Sequence, residues 1–254
     1  MKQRILYLLS LFFALVAIFA VQKPLFMLYN TTEPLSAGDY WSVICHGLSL
    51  DMTTAGYLTA LPLLLLLASV WIKKVSLRRW LRPYLIFAGT VTAIVFVVDM
   101  ALYTFWGFKL DATIFYYLDS PSEAFASVSI GFILIRILGT IIVAILFSST
   151  LICLTPKKLA ICRHRISTTL LLVLMGGGLF IVIRGGVTES TSNIGQVYFS
   201  DRQFLNHSAI NPCFSLLSSM GKTEQFEDMF DFFTETERTA YFEGLYPMVP
   251  RYLH

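Results

Sequence analysis

Three charged side chains lie inside otherwise apolar stretches and are the first candidates for chemistry: Asp99, Arg136 and Arg184. A charge at the centre of a membrane helix costs about 2.5–3.5 kcal/mol, so it is kept where a partner or a ligand compensates it. Asp99 is about six residues and Arg136 about nine residues from the same end of their apolar blocks, which puts both roughly 9–14 Å below that surface at ~1.5 Å per residue. Facing each other on antiparallel helices they would form a structural ion pair. Facing a polar path they would serve a lipid head group or a proton. Arg184 ends the fifth block, where an arginine either meets lipid phosphate or snorkels to the interface.

The remaining reactive residues offer less. His46, His164, His207 and His254 fall in separate segments with no pair at metal-ligand spacing, so no metal is expected in this chain. The four cysteines contain no C-x-x-C pair, which excludes a zinc ribbon, the usual iron–sulfur spacing and a disulfide scaffold. Cys45 and Cys213 fall on one side of the expected topology, and their spacing leaves open whether they meet. Asn30-Thr31-Thr32 and Asn206-His207-Ser208 match the glycosylation pattern, which is short enough to arise by chance. No nucleophile elbow, phosphate-cradling loop or carboxylate pair occurs, so no catalytic residue is assigned.

The elements that must position these residues follow from composition. Of 254 residues 56% are apolar and 14% charged, with a mean hydropathy of +0.68, which excludes an ordinary soluble domain. The formal charge of +3 is too small and too dispersed for a nucleic-acid partner. Apolar residues gather in five blocks, 5–21, 53–72, 84–105, 127–154 and 167–183. Each approaches the ~20 residues a helix needs to span lipid, where backbone polar groups must be paired within the segment. The fold class is therefore all-α, a polytopic membrane protein with five transmembrane helices, the first uncleaved. Gly176, Gly177 and Gly178 suit close helix contact, and Pro62 a kink.

Orientation is read from the basic residues. Lys2 and Arg4, then Lys73, Lys74, Arg78, Arg79 and Arg82, then Lys157, Lys158, Arg163 and Arg165 occupy the N-terminus and two of the loops. The other loops, read as 22–52 and 106–126, hold only Lys23 and Lys109 beside six acids. The N-terminus is thus expected inside and the tail outside. The chain divides into a five-helix transmembrane domain, 1–186, and an extracytoplasmic helical linker, 187–254. In that linker Asn211-Pro212 starts a short helix that Gly221 should end, Thr223 caps a second through Phe233, and Thr234 with Glu237 opens a third. Phe226, Phe230 and Phe233 share a face, while Lys222 to Gly244 carries seven acids and two bases. Helices this short and amphipathic must lie on the membrane surface, the bundle or a further domain.

Several motifs also carry a family resemblance. Leu50-Asp-Met-Thr-Thr-Ala-Gly-Tyr57, Trp106-Gly-Phe-Lys-Leu-Asp-Ala112, Phe115-Tyr-Tyr-Leu118 and Ser120-Pro-Ser-Glu-Ala124 resemble the membrane half of lipoteichoic acid synthase-like proteins of the alkaline phosphatase/sulfatase superfamily. Arg184-Gly-Gly-Val187, Val197-Tyr-Phe-Ser200, Leu205-Asn-His-Ser-Ala209 and Asn211-Pro-Cys-Phe-Ser215 are similar to the linker of the Bacteroidetes-type members. The resemblance spans roughly 48–246.

It implies a bacterial cytoplasmic membrane location and membrane lipids as partners. It also implies a missing or separate catalytic domain after 254, with a metal-bound Thr or Ser nucleophile and manganese or zinc. None of those motifs occurs in this chain, which alone would be a non-catalytic anchor for an enzyme that transfers phosphoglycerol or phosphoethanolamine or hydrolyses a phosphate or sulfate ester. Arg136 and Arg184 would then meet the lipid phosphate. The alternative is a stand-alone membrane scaffold, or a small transporter using an Asp99–Arg136 site. The absence of repeated halves argues against most transporter folds.

Overall fold

The computed structural model describes residues 1–72, 76–119, 129–229 and 236–237, and the regular structure among them is helical. The five apolar blocks are five helices long and apolar enough to cross a membrane: α1 (Lys2–Asn30), α2 (Ala37–Trp71), α3 (Leu77–Trp106), α5 (Ile130–Leu154) and α6 (Arg165–Arg184). Between α3 and α5 lies the short α4 (Thr113–Asp119). After α6 come a 3₁₀ turn (Ile194–Val197), α7 (Gln203–Ala209) and α8 (Pro212–Met229).

Helix α2 is central, packed on α1 along one side and on α6 along another, while α3 packs on α5 and touches α1. The main core joins Leu11, Leu15 and Phe19 of α1, Leu63 and Leu66 of α2, Leu81 and Leu85 of α3, Leu151 of α5 and Leu172 of α6. Helices α5 and α6 are peripheral and leave most of their apolar surface uncovered, which a bilayer solvates without cost. Gly89 allows the close approach of α3 and α5, since a Cβ there would stand 2.9 Å from the Ser148 backbone nitrogen. Of the expected glycine contact in α6, Gly176 alone is used: a Cβ there would meet Leu63 at 3.2 Å, whereas Gly177 and Gly178 face open space. Pro62 is accommodated within α2, as are Pro24 within α1 and Pro83 within α3.

At the end where the chain starts, Arg4 is buried. Its Nε donates to Ser69 Oγ at 3.0 Å, Nη2 to the Ser69 carbonyl at 3.0 Å and Nη1 to the Ala160 carbonyl at 2.9 Å. One guanidinium thus fastens α1 to α2 and to the connection between α5 and α6.

The opposite end differs from the expectation. Residues 22–30 and 37–52, read as a loop, are helical continuations of α1 and α2. Helix α2 begins at a capping box in which Ser36 Oγ accepts from the Asp39 N–H at 3.2 Å and Asp39 Oδ2 accepts from the Ser36 N–H at 2.9 Å. With 29 and 35 residues, α1 and α2 are about 43 and 52 Å long, well beyond a ~30 Å hydrocarbon core. The overshoot makes a hairpin against which the tail packs.

The described part of the tail takes its core from that hairpin: Met27, Val43 and Leu50 are buried with Val197, Leu205, Ala209, Ile210 and Phe214. Asn211 caps α8 as its pairing with Pro212 suggests, its Oδ1 accepting from the Cys213 N–H at 3.0 Å and the Phe214 N–H at 3.2 Å. Gly221 does not stop this helix, which runs on to Met229, so the first two expected tail helices are continuous. Packing of the first turns on α2 and α3 outweighs the roughly 1 kcal/mol that a mid-helix glycine costs. The expected third tail helix, residues 234–244, lies almost wholly outside the described residues.

Candidate functional site: a buried polar layer beneath the tail

Four charges meet at one level of the bundle. Counting along each helix from the end bearing Arg4, Lys23 is about 31 Å up α1, Asp51 about 30 Å up α2 and Asp99 about 33 Å up α3. That height is close to the ~30 Å thickness of a hydrocarbon core. Asp99 remains some 10 Å short of the end of α3 because α3 overshoots as well.

The charges are paired. Lys23 Nζ donates to Asp51 Oδ2, and both side chains are 97% or more buried. The second Asp51 oxygen, Oδ1, accepts from Asn211 Nδ2 of the tail at 2.9 Å. Lys109, just past α3, donates to Asp99 Oδ2, while Asp99 Oδ1 accepts from the Leu110 N–H at 2.9 Å. Lys109 also lies 3.8 Å from the centroid of the Phe26 ring, a cation–π contact with α1. Burial pushes the Lys109 ammonium below its ordinary value, against the pull of the Asp99 carboxylate. Gly47 makes room for this layer, because a Cβ there would collide with the Lys23 side chain and the Ala209 carbonyl oxygen.

Tail residues complete it. His207 is buried between the Tyr103 hydroxyl, 3.1 Å from Nδ1, and Gln203, 3.3 Å from Nε2. Desolvation holds its imidazole below the ordinary value, and the Lys109 charge adds to that. The Cys213 thiol is pushed up to about 12, chiefly by burial, and stays protonated at neutral pH. The Gln22 amide, also buried and without a hydrogen-bond partner among the described residues, lines a cavity of about 10 Å³ with Lys23, Asp99, Lys109 and Ser208.

The residues singled out from sequence are thus not brought together as a pair. Asp99 is bound by Lys109, while Arg136 lies on α5 about 27 Å from its Leu154 end. The Arg136 guanidinium rests 4.7 Å from the Tyr29 ring and 4.6 Å from the Phe132 ring, and Nη2 donates to the Tyr29 hydroxyl. Arg184 turns back on its own chain, donating to the carbonyls of Gly186 at 3.2 Å, of Thr188, and of Glu189 at 3.4 Å. Lys23, Asp51 and Lys109 are missed from sequence because they lie in stretches expected to be loops between the helices.

His46 stacks on Phe199 with centroids 4.2 Å apart and bonds the Ser42 carbonyl at 2.8 Å. Among the described residues no group of three or more His, Cys, Asp or Glu is placed to hold a metal, so the manganese or zinc that the resemblance implies has no fitting ligand set there. All four cysteines are free, Cys45 and Cys213 included. Asn206, the candidate glycosylation residue of the tail, is buried, and its Oδ1 accepts from the Phe199 and Ser200 N–H groups at 2.9 Å each.

Chemically, the layer is a lock: its four charges are neutralised in two pairs, holding four separate segments at one height. Comparison with protein-family models, with curated proteins and with solved structures finds no match for this chain.

Proposed function

We propose that this chain is the membrane-anchoring half of an alkaline phosphatase/sulfatase-superfamily enzyme of the lipoteichoic acid synthase-like kind. Such an enzyme transfers phosphoglycerol or phosphoethanolamine from lipid, or hydrolyses a phosphate or sulfate ester. In this reading the chain lies in the bacterial cytoplasmic membrane with Lys2 inside and the tail outside, an orientation supported by the basic residues of the N-terminus and of the loops on that side. It contributes no catalytic group, and the metal belongs to the domain that follows.

One observation carries the reading: the tail is built into the bundle through the Asn211–Asp51 bond and the shared core around Leu205, Ile210 and Phe214. The start of α8 is therefore held at a set height and rotation above the lipid. A flexible tether would only concentrate a catalytic domain near its substrate, whereas a fixed mount also orients it. The ordered motifs from Leu50 to Ser215 give the identity of that domain its support.

The test is to read the gene in frame beyond codon 254, express the encoded protein in membranes, and assay manganese-dependent release of phosphoglycerol or phosphoethanolamine from labelled lipid. The expected result is a sulfatase-type domain whose turnover falls when α8 is uncoupled by inserted glycines. A stop codon with no neighbouring gene for such a domain would overturn it.

A further inference from the structure

A second feature lies on the flank of the bundle, apart from the polar layer. Helices α1, α3 and α5 enclose an open groove of about 470 Å³, walled by Leu25 and Leu28 of α1, Phe96 and Met100 of α3, and Gly139 and Val143 of α5, with Arg136 and Tyr29 at its tail-side end. Leu25 and Leu28 are 48% and 65% exposed along it, which in a membrane means that the groove opens toward lipid. Gly139 adds to its depth, since a Cβ there meets nothing within 4 Å. From Arg136 to Val143 the groove runs about 10 Å along α5.

Arg136 gives the groove its polarity. Among the described residues it has no carboxylate partner, and its Nε is buried with no hydrogen-bond acceptor. The Tyr29 hydroxyl and the two aromatic faces fix the guanidinium plane and leave the rest of its fork of five donors for an anion. The occupant must then be apolar for about 10 Å and end in an anion at the bilayer boundary. An acyl chain that ends at a phosphate meets both requirements.

We propose that the α1/α3/α5 groove is a specific seat for one glycerophospholipid, its acyl chain lying along Phe96, Met100 and Val143 and its phosphate held by Arg136. The seat uses no residue of the tail and stands whether or not a catalytic domain follows.

The experiment is native mass spectrometry of the purified full chain released from detergent, titrated separately with dioleoyl phosphatidic acid, dioleoylglycerol and glycerol 3-phosphate. One phosphatidic acid per chain is expected to be retained, with dioleoylglycerol at least tenfold weaker and glycerol 3-phosphate unbound. Arg136→Gln should lower phosphatidic acid retention tenfold or more and leave dioleoylglycerol unchanged, Arg136→Lys should recover part of the loss, and Gly139→Phe should displace both lipids. Thermal melts of the variants identify any that fail to fold, and Gly139→Phe, changed at a site with open space, serves where Arg136→Gln does not. Equal phosphatidic acid retention by Arg136→Gln and the parent chain would overturn the proposal. So would a graded series of bound lipids with no step at one, or a second copy of the chain seated in place of lipid.

Discussion

Replacing Asn211 by alanine should undock the tail. Two losses add up at this residue. Its Oδ1 caps α8 through the Cys213 and Phe214 N–H groups, and removing such a cap costs about 0.5–2 kcal/mol. Its Nδ2 donates to a buried carboxylate oxygen of Asp51, and a hydrogen bond to a charged group contributes about 1.5–3 kcal/mol. Together they make about 2–5 kcal/mol, which at ~1.4 kcal/mol per tenfold lowers the ratio of docked to undocked tail by about 30-fold to a few thousand-fold. Asn211→Ser separates the two terms: serine still caps but is too short to reach Asp51, so roughly half the effect should remain. Asn211→Asp keeps the cap and sets a second carboxylate against Asp51, and should undock at least as much as alanine. Hydrogen exchange measured by mass spectrometry on protein in lipid nanodiscs reads the result directly, through the amides of Leu205, Ala209, Ile210 and Phe214. Unchanged protection at those amides in Asn211→Ala would mean that Asn211 does not hold the tail in place.

Lys23→Met leaves Asp51 buried without its cation and should cost about 3–5 kcal/mol, whereas the double change Lys23→Met with Asp51→Leu should restore most of the loss; melting both in one detergent shows whether it does. Gly47→Ala puts a methyl into the Lys23 side chain and the Ala209 carbonyl, so it should raise exchange over 203–210 while leaving the amides of α5 untouched. His207 is held neutral in the docked tail, so docking is fully supported above its unfolded value near 6.5 and weakens as pH falls through that value toward the lower folded one; protection over 203–210, taken relative to the intrinsic exchange rate at each pH, should therefore fall from pH 7 to pH 5.5, and His207→Gln should flatten that fall. An impermeant maleimide added to intact cells should label the exposed Cys45 faster than the partly buried Cys213, whose thiol stays protonated, and reach the exposed Cys153 only after lysis; labelling of Cys153 in intact cells would reverse the proposed orientation.

Hydropathy made the five helices legible, because length and apolar content suffice to mark a span. It did not reveal where α1 and α2 end. Gln22, Lys23, Asp39 and Asp51 look like solvated loop residues, and only the tertiary pairing of Lys23 with Asp51 makes helix tolerable there. A signal was present in Ser36 followed three residues later by Asp39, a helix start set well before the apolar block. Local chemistry placed the start of α8 at Asn211-Pro212, but the same local logic failed at Gly221, where packing decides. The similar depths of Asp99 and Arg136 invited a pairing that the structure does not make, because Lys109 on the adjoining turn reaches Asp99 first. Sequence spacing gives height along a helix axis and says nothing about which neighbour stands at that height.

The bond between Asp51 and Asn211 also orders events in time. These residues are 160 positions apart, which at a synthesis rate of about 5–20 residues per second is a delay of roughly 8–30 s. Throughout that interval Asp51 has left the ribosome while the amide that satisfies its second oxygen has not. Arg4 waits in the same way for Ala160, 156 residues later. The nascent chain therefore carries an incomplete bundle until the last membrane segment and its tail emerge, and a chain stopped before Asn211 would leave Asp51 with half its partners.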